Sequence, residues 1–366
     1  MNNDLIFQLA LTRVPHIGHI HAKTLTSVFG SAEAIFKTTK SKLEKVDGIG
    51  QVRASSIKSF SDFKSCEHEI HFTEKHHIKT IFINDDEYPK RLLNCSDSPV
   101  LLYFKGNTSL NNSRFVSIVG TRANTDYGRT ICEQFIDELK SYNITVISGL
   151  AYGIDTIAHK SALKYNIPTI GILAHGLDRI YPYANKIMAK QMIEIGGLLT
   201  EYPSGTNPDK QNFPERNRIT AGICDALVVI ETGKSGGSLI TAEIANSYNK
   251  DVFAIPGRIS DPKSEGCNQL IKNNKACLIS SAEDLVNLMG WNEKKSSQKP
   301  RQRLLFNDLN NEELLLLKII EEASETDIDT LTFKSGLSHS SIAVTLLSLE
   351  MNGLIKSLPG KRFKSI

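Results

Sequence analysis

The sequence predicts an α/β protein whose centre is a doubly wound, mostly parallel sheet, with a smaller, largely helical domain before it and another after it. Three observations carry this. Short β-branched runs alternate with amphipathic stretches from about residue 80 to 290, the order that builds a parallel sheet covered on both faces. Glycine-punctuated helical segments precede that region. Two helical stretches and a Pro359-Gly360 hairpin follow it.

In the central region, residues 115–119 form an apolar run ending at Gly120, a buried-strand signal. Tyr127, Ile131, Phe135 and Leu139 then recur every fourth residue, one face of a helix. Strand readings follow at 145–147, 169–173, 198–200, 226–230 and 252–255, with helices at 155–164, 184–195 and 238–249. This is an extended Rossmann-like arrangement. Ligands of such sheets sit at the carboxyl ends of the strands, so the loops there matter most.

Val46-Asp47-Gly48-Ile49-Gly50, between two short helices, has the helix-hairpin-helix pattern, whose amides can hold a DNA phosphate without reading sequence. Val14-Pro15-His16-Ile17-Gly18 looks like a second copy, with His16 in place of the first glycine. Leu314, Leu317 and Ile320 mark one C-terminal helix, and Ile342, Leu346 and Leu349 another. With the hairpin they form a winged-helix pattern. Its recognition helix offers Ser338, His339, Ser340, Ser341 and Thr345 but no Arg or Lys, while Lys356, Lys361, Arg362 and Lys364 sit on the wing. Protein docking suits it at least as well as DNA reading. The domains are therefore read as 1–75 (helix-hairpin-helix, SAM-like), 76–291 (core), 292–303 (basic linker, NEKKSSQKPRQR) and 304–366 (winged helix).

Composition narrows the function classes. The 366 residues are 40% hydrophobic and 23% charged, which excludes a wholly disordered or collagen-like chain. No apolar run approaches the roughly 18–20 residues of a membrane span, and the first residues lack the basic start of a secretory signal. A soluble cytoplasmic protein is expected. Six cysteines occur without a Cys-x-x-Cys pair, so zinc and redox motifs have no support. The net charge of +3 is compatible with nucleic acid. Nothing calls for a cofactor or a metal.

The candidate ligand-binding residues lie in the loops. Gly120-Thr121-Arg122 ends the first strand, where glycine lets the backbone approach a ligand and the next helix offers unpaired amides. No full G-x-G-x-x-G is present, which disfavours NAD or FAD. Gly149 and Gly153 frame the next turn, with Asp155 read as a helix N-cap. Lys210, Phe213, Arg216, Asn217 and Arg218 crowd three cations around one aromatic. Cations neutralise phosphates, and an exposed phenyl ring stacks a base for roughly 1–3 kcal/mol. Pro214 is read as opening the following helix. Arg216 and Arg218, two residues apart, do not share a helix face. Ser235-Gly236-Gly237-Ser238 has the make-up of a phosphate cradle but lacks Walker A spacing. An Asp155/His159 pair has no accompanying nucleophile, so no catalytic residue is assigned.

Taken in order, these motifs resemble the DNA-processing protein A family (DprA, also called Smf). The carriers are Tyr88-Pro89 with Asp97, Pro99 and Leu101; Val119-Gly120-Thr121-Arg122 with Tyr127-Gly128; and Ser148-Gly149-Leu150-Ala151 with Gly153-Ile154-Asp155 and Ala158-His159. They continue with Gly176-Leu177-Asp178, Tyr181-Pro182, Glu201-Tyr202-Pro203, the run from Phe213 to Ile219, the run from Ser235 to Ala242, and Pro256-Gly257. The resemblance covers about residues 85–280. It implies single-stranded DNA binding, loading of RecA recombinase onto that DNA in natural transformation, and a homodimer formed through the core. It implies DNA contacts at Arg122, Lys210 and Phe213, with the Arg216-Asn217-Arg218 run and the Ser-Gly-Gly-Ser loop in the same pocket. The family's last loop usually reads Ser-Gly-Ser, so Gly237 is a departure.

The rival from another class is a nucleotide phosphoribohydrolase-like enzyme. There the Gly236-Gly237 loop would hold a nucleotide phosphate and Glu243 would be the acid/base. A third reading is an adaptor that binds only protein through the winged helix.

Overall fold

The computed structural model describes residues 3–291, 309–323, 326–352, 354–358 and 362–365. The basic stretch 292–303, and Pro359, Gly360 and Lys361 of the C-terminal hairpin, lie outside the described residues. The chain divides into two compact units, Met1–Trp291 and Asn292–Ile366.

The first unit opens with α1 (Asn3–Arg13), α2 (His19–Phe29), α3 (Ala32–Lys37), α4 (Lys40–Glu44), α5 (Gly50–Ser59) and α6 (Phe63–Lys75). The pairs α1–α2 and α4–α5 are the two hairpins. Gly48 turns the second with φ 75°, and His16 takes φ 67° at the matching point of the first. Two histidine- and glycine-closed turns thus have the same backbone hand. Ile17 and Ile49 are buried inside the turns. Arg53 ties the two copies together, donating to His16 O at 3.1 Å and Gly48 O at 2.9 Å.

The core follows: β1 (Lys79–Phe82), α7 (Lys90–Leu93), β2 (Leu101–Gly106), β3 (Phe115–Val119), α8 (Asp126–Leu139), β4 (Thr145–Ser148), α9 (Ile154–Lys164) and β5 (Thr169–Ile172). A 3-10 turn (Tyr183–Asn185) leads into α10 (Lys186–Ile195) and β6 (Gly197–Thr200). Then come α11 (Asn212–Gly222), β7 (Ala226–Val229), α12 (Gly237–Ser247), β8 (Asp251–Ala254), α13 (Glu265–Lys272), β9 (Cys277–Leu278) and α14 (Ala282–Leu288). The sheet order is β1-β2-β6-β5-β4-β3-β7-β8-β9. Every pairing from β6 to β9 is parallel; β1–β2 and β2–β6 are antiparallel. Residues 115–119, 145–148, 169–172 and 226–229 are buried throughout, as strands covered on both faces must be. The chain steps outward from β3 to β6, then returns to the other side of β3 at β7. The carboxyl ends of β3 and β7 therefore flank the switch point, where such sheets hold ligands. The antiparallel extension β1–β2 and the short edge strand β9 add to the strands read from sequence.

The second unit contains α15 (Asn311–Ala323), β10 (Thr326–Asp327), α16 (Ile328–Ser335), α17 (His339–Met351), β11 (Ile355–Leu358) and β12 (Arg362–Ser365), with sheet order β10-β12-β11. Gly336, at φ 66°, ends α16. Leu316, Ile320, Leu331, Ile342, Leu346, Leu349 and Ile355 form its core. Leu314, expected on the inner face, is half exposed. Four consecutive leucines leave the helix phase open in sequence, and the packing selects Leu316, Ile319 and Ile320.

Candidate nucleic-acid interface

Loops from the carboxyl ends of β3, β4 and β7 meet the start of α11 around a groove of about 770 Å³. It is lined by Gly120, Thr121, Arg122, Gly149, Lys210, Phe213, Arg216, Asn217, Ser235, Gly236, Gly237 and Ser238. Of the residues expected to form one pocket, Arg218 alone does not line it.

The first loop is held from below. Thr121 N donates to Glu231 O at 2.7 Å, and Ile154 N donates to Thr121 O at 3.2 Å. Gly120 is required by closeness: a Cβ there would lie 2.5 Å from Ile154 Cγ1. Thr125 caps α8, and the buried Glu231 carboxylate accepts from both Thr125 N and Thr125 Oγ1. Arg122 is left exposed, with its guanidinium 5.2 Å from the centroid of the Phe213 ring.

The second loop carries a correction. Gly153, at φ 76°, is the N-cap of α9; Asp155 lies inside the first turn, and its Oδ2 accepts from Ala151 N at 3.2 Å. Burial pushes the Asp155 carboxyl up, against the opposing pull of Arg216. A Cβ on Gly149 would lie 2.7 Å from both Arg216 Nη2 and Asp155 Oδ2, so glycine leaves the space in which these two groups approach. His159, one turn further, is wholly buried with Nδ1 2.7 Å from Thr169 Oγ1, and burial lowers it to about 3. It does not reach the groove.

The α11 region splits the expected cations. The helix begins at Asn212, with Pro214 inside its first turn. Buried Asn212 fixes that start by donating to Ala174 O at 3.3 Å and Asn207 O at 3.1 Å. Lys210 is exposed on the rim, and the half-buried Phe213 ring stands 6.0 Å from Tyr181. Arg216 is 4% exposed: its Nη1 donates to Gly149 O, just past β4, and to Ile172 O, at the end of β5, so it forms the floor. Arg218 turns to the opposite side of α11. It is buried, donates to Asp97 O, and pairs with Glu201 Oε2, which also meets His19 Nε2 of α2 at 3.1 Å. Two residues along a helix rotate by about 200°, so both cannot face one ligand.

The last loop presents Ser235, Gly236 and Gly237 to solvent, and α12 begins at Gly237 without a side-chain cap. Its first amides and positive helix end are open to an anion. Ser238 Oγ donates to Thr232 Oγ1 at 2.8 Å, and Asn217 Nδ2 reaches Gly237 O at 3.4 Å. Three features of the groove escaped sequence reading. Glu231 opens the loop that carries the Ser-Gly-Gly-Ser run, but its pairing with Thr125 beneath the first loop is not marked there. Tyr181, quoted for the family resemblance but not as a groove residue, and Lys263 come from loops distant in sequence. Glu243, the acid/base candidate of the hydrolase reading, is exposed, pairs with Lys275 at 3.1 Å, and is absent from the groove lining. Among the described residues no cluster of three or more His, Cys, Asp or Glu could hold a metal, and no helix is long and apolar enough to cross a membrane.

This groove belongs to the stretch that matches a known family model: residues 79–290 match DNA recombination-mediator protein A. The chain belongs to that family. Residues 6–70 match the helix-hairpin-helix motif and 306–361 the DprA winged helix domain. Protein Smf of Synechocystis is 31% identical over 99% of both chains. The crystal structure of DNA processing protein A from Streptococcus pneumoniae superposes with a TM-score of 0.67 at 32% identity, over 78% of this chain and 98% of that one. The DNA processing protein A of Helicobacter pylori, described for its single-stranded DNA binding mode, gives a TM-score of 0.53 at 29% identity, over 58% of this chain and 96% of that one. Family membership carries a DNA-processing role in recombination.

Proposed function

We propose that the protein binds single-stranded DNA in this groove and delivers it to RecA recombinase during transformation and recombination, acting in the cytoplasm as a homodimer and without catalysis. The observation that carries this is the pairing of an uncapped helix start with a cation–aromatic stack. The amides of α12 at Gly236 and Gly237 take phosphates, Arg122, Lys210 and Lys263 supply charge, and the Phe213 ring beside Arg122 and Tyr181 offers a stacking surface. Phosphate contact plus stacking selects strand state rather than sequence. The Helicobacter pylori relative supports the same ligand. The open edge of β9, with Cys277 and Leu278 exposed, supports self-association through the core.

Fluorescence anisotropy of labelled single- and double-stranded oligonucleotides over a salt series tests the reading. Salt-sensitive binding that favours the single strand is expected, weakened by Arg122→Ala and by Lys210→Ala alike across sequences. Unchanged affinity in both variants removes the groove assignment. Delivery is tested separately, by RecA filament formation with and without the protein; no acceleration removes that part alone.

A further inference from the structure

We propose that a bound single strand runs beyond the groove onto a second platform made by Tyr183 and Lys186, extending the binding site by at least one nucleotide. This rests on the single-strand reading above. Tyr181 is the last aromatic of the groove, and Tyr183 opens the 3-10 turn two residues later. Two residues span at most about 7 Å, so Tyr183, which is not part of the groove lining, lies within that reach of Tyr181. Its ring is 74% exposed, and the neighbouring Ile187 is 75% exposed. The Lys186 ammonium lies 5.1 Å from the Tyr183 ring centroid.

An aromatic that packs on nothing forgoes the hydrophobic gain of burial, and a loose loop would explain such a ring. This segment is not loose. Buried Asn185, which closes the turn, donates to Leu150 O and to Thr156 Oγ1, both at 2.9 Å. Leu150 belongs to the β4–α9 connection that also carries Gly149, and Thr156 to the first turn of α9. The turn is thus fixed to the groove while its ring faces outward. A π-face beside an ammonium matches one nucleotide: the base stacks on the ring and its phosphate meets the lysine. Neither contact depends on base identity.

Anisotropy with labelled oligothymidylates of two lengths, one just long enough to fill the groove and one longer, tests this. Tyr183→Ala should lose about five- to a hundred-fold in affinity for the longer strand and nothing for the shorter. Tyr183→Phe should keep wild-type affinity for both. A 2-aminopurine at the extending end should be quenched by the wild type and not by Tyr183→Ala. Equal affinity of Tyr183→Ala and wild type for both lengths overturns the platform, and leaves the exposed ring to a protein partner. Equal loss on both lengths also overturns it, by placing Tyr183 inside the groove. Failure of Arg122→Ala to weaken the shorter strand, by contrast, refutes the groove reading itself.

Discussion

Arg216→Ala and Arg122→Ala should fail in different ways, although the two arginines line the same groove. Arg216 is 4% exposed and its Nη1 serves two carbonyls, Gly149 O and Ile172 O. It is also the cation that acts most strongly on Asp155, whose burial already disfavours ionisation. Truncation removes the Arg216 donor from two carbonyls and its countercharge from a buried carboxyl. Removing one partner of such a buried arrangement costs about 3–5 kcal/mol. For a unit of this size each kcal/mol moves Tm by about 2–4 °C, so a fall of roughly 6–20 °C is expected. Arg122 is exposed and stands over Phe213, so Arg122→Ala should stay within about 0.5 kcal/mol of wild-type stability. Its loss should appear instead in DNA affinity, with the salt slope reduced by about 0.7 for one lost phosphate contact on a single strand. Thermal unfolding followed by circular dichroism, paired with anisotropy at several salt concentrations, separates the two. An Arg216→Ala protein that melts like the wild type yet no longer binds DNA would falsify the assignment of Arg216 to the floor.

Two further outcomes follow from packing and titration. Gly149→Ala should lower Tm and weaken single-strand binding together, because its Cβ lands 2.7 Å from Asp155 Oδ2 and closer still to Arg216; Gly237→Ala, whose Cβ first meets Asn217 Nδ2 at 3.8 Å, should melt like the wild type. His159 is held neutral, at about 3 against an ordinary 6.5, by burial. A depressed pKa means that the unfolded chain binds the proton first, so this stability is complete above about pH 6.5 and is lost as pH falls towards 3, at up to ~5 kcal/mol. Urea midpoints measured from pH 7 down to pH 4 should therefore fall less steeply in His159→Asn than in the wild type, whatever the offset at pH 7. Parallel curves would show that His159 does not drive the acid sensitivity.

The parallel sheet was legible because strands buried on both faces read as apolar runs: 226–229 is wholly apolar, 115–119 is broken only by Ser117, and 145–148 keeps Val146 and Ile147 at its centre. The first hairpin was legible despite His16, since Ile17, Gly18 and the spacing to Ala22 and Leu25 preserve the turn around it. The missed parts have physical reasons. β9 is two exposed residues, Cys277 and Leu278, whose only cue is a neighbouring strand. Asp155 looks like a cap because Asp caps helices, but Gly153 takes the positive φ that the strand-to-helix turn demands, and the helix starts earlier. Glu231 begins the glycine-rich loop after β7, but nothing local marks its partner. Its partners, Thr125 N and Thr125 Oγ1, lie 106 residues away and meet it only because β3 and β7 are neighbours in the sheet.

The same reasoning changes how the charge of the groove is counted. The sequence offers Arg122, Lys210, Arg216 and Arg218 as four cations for phosphates. Helical rotation and burial then divide them. Arg216 faces inward onto carbonyls, and Arg218 faces Glu201 on the far side of α11. A cation already engaged by buried acceptors has no condensed counterions to release from the strand. Lys263, contributed by the loop after β8, enters the groove unannounced by any motif. Three side-chain cations, Arg122, Lys210 and Lys263, therefore face the ligand, with the uncapped start of α12 supplying the remaining positive potential through fixed amides. Counterion release at about 0.7 per neutralised phosphate gives a log–log salt slope near −2 for a strand that fills only the groove. Engagement of Arg216 and Arg218 as well would give about −3.5. A slope at the steeper value would mean that α11 reorganises on binding and releases its buried arginines to the DNA.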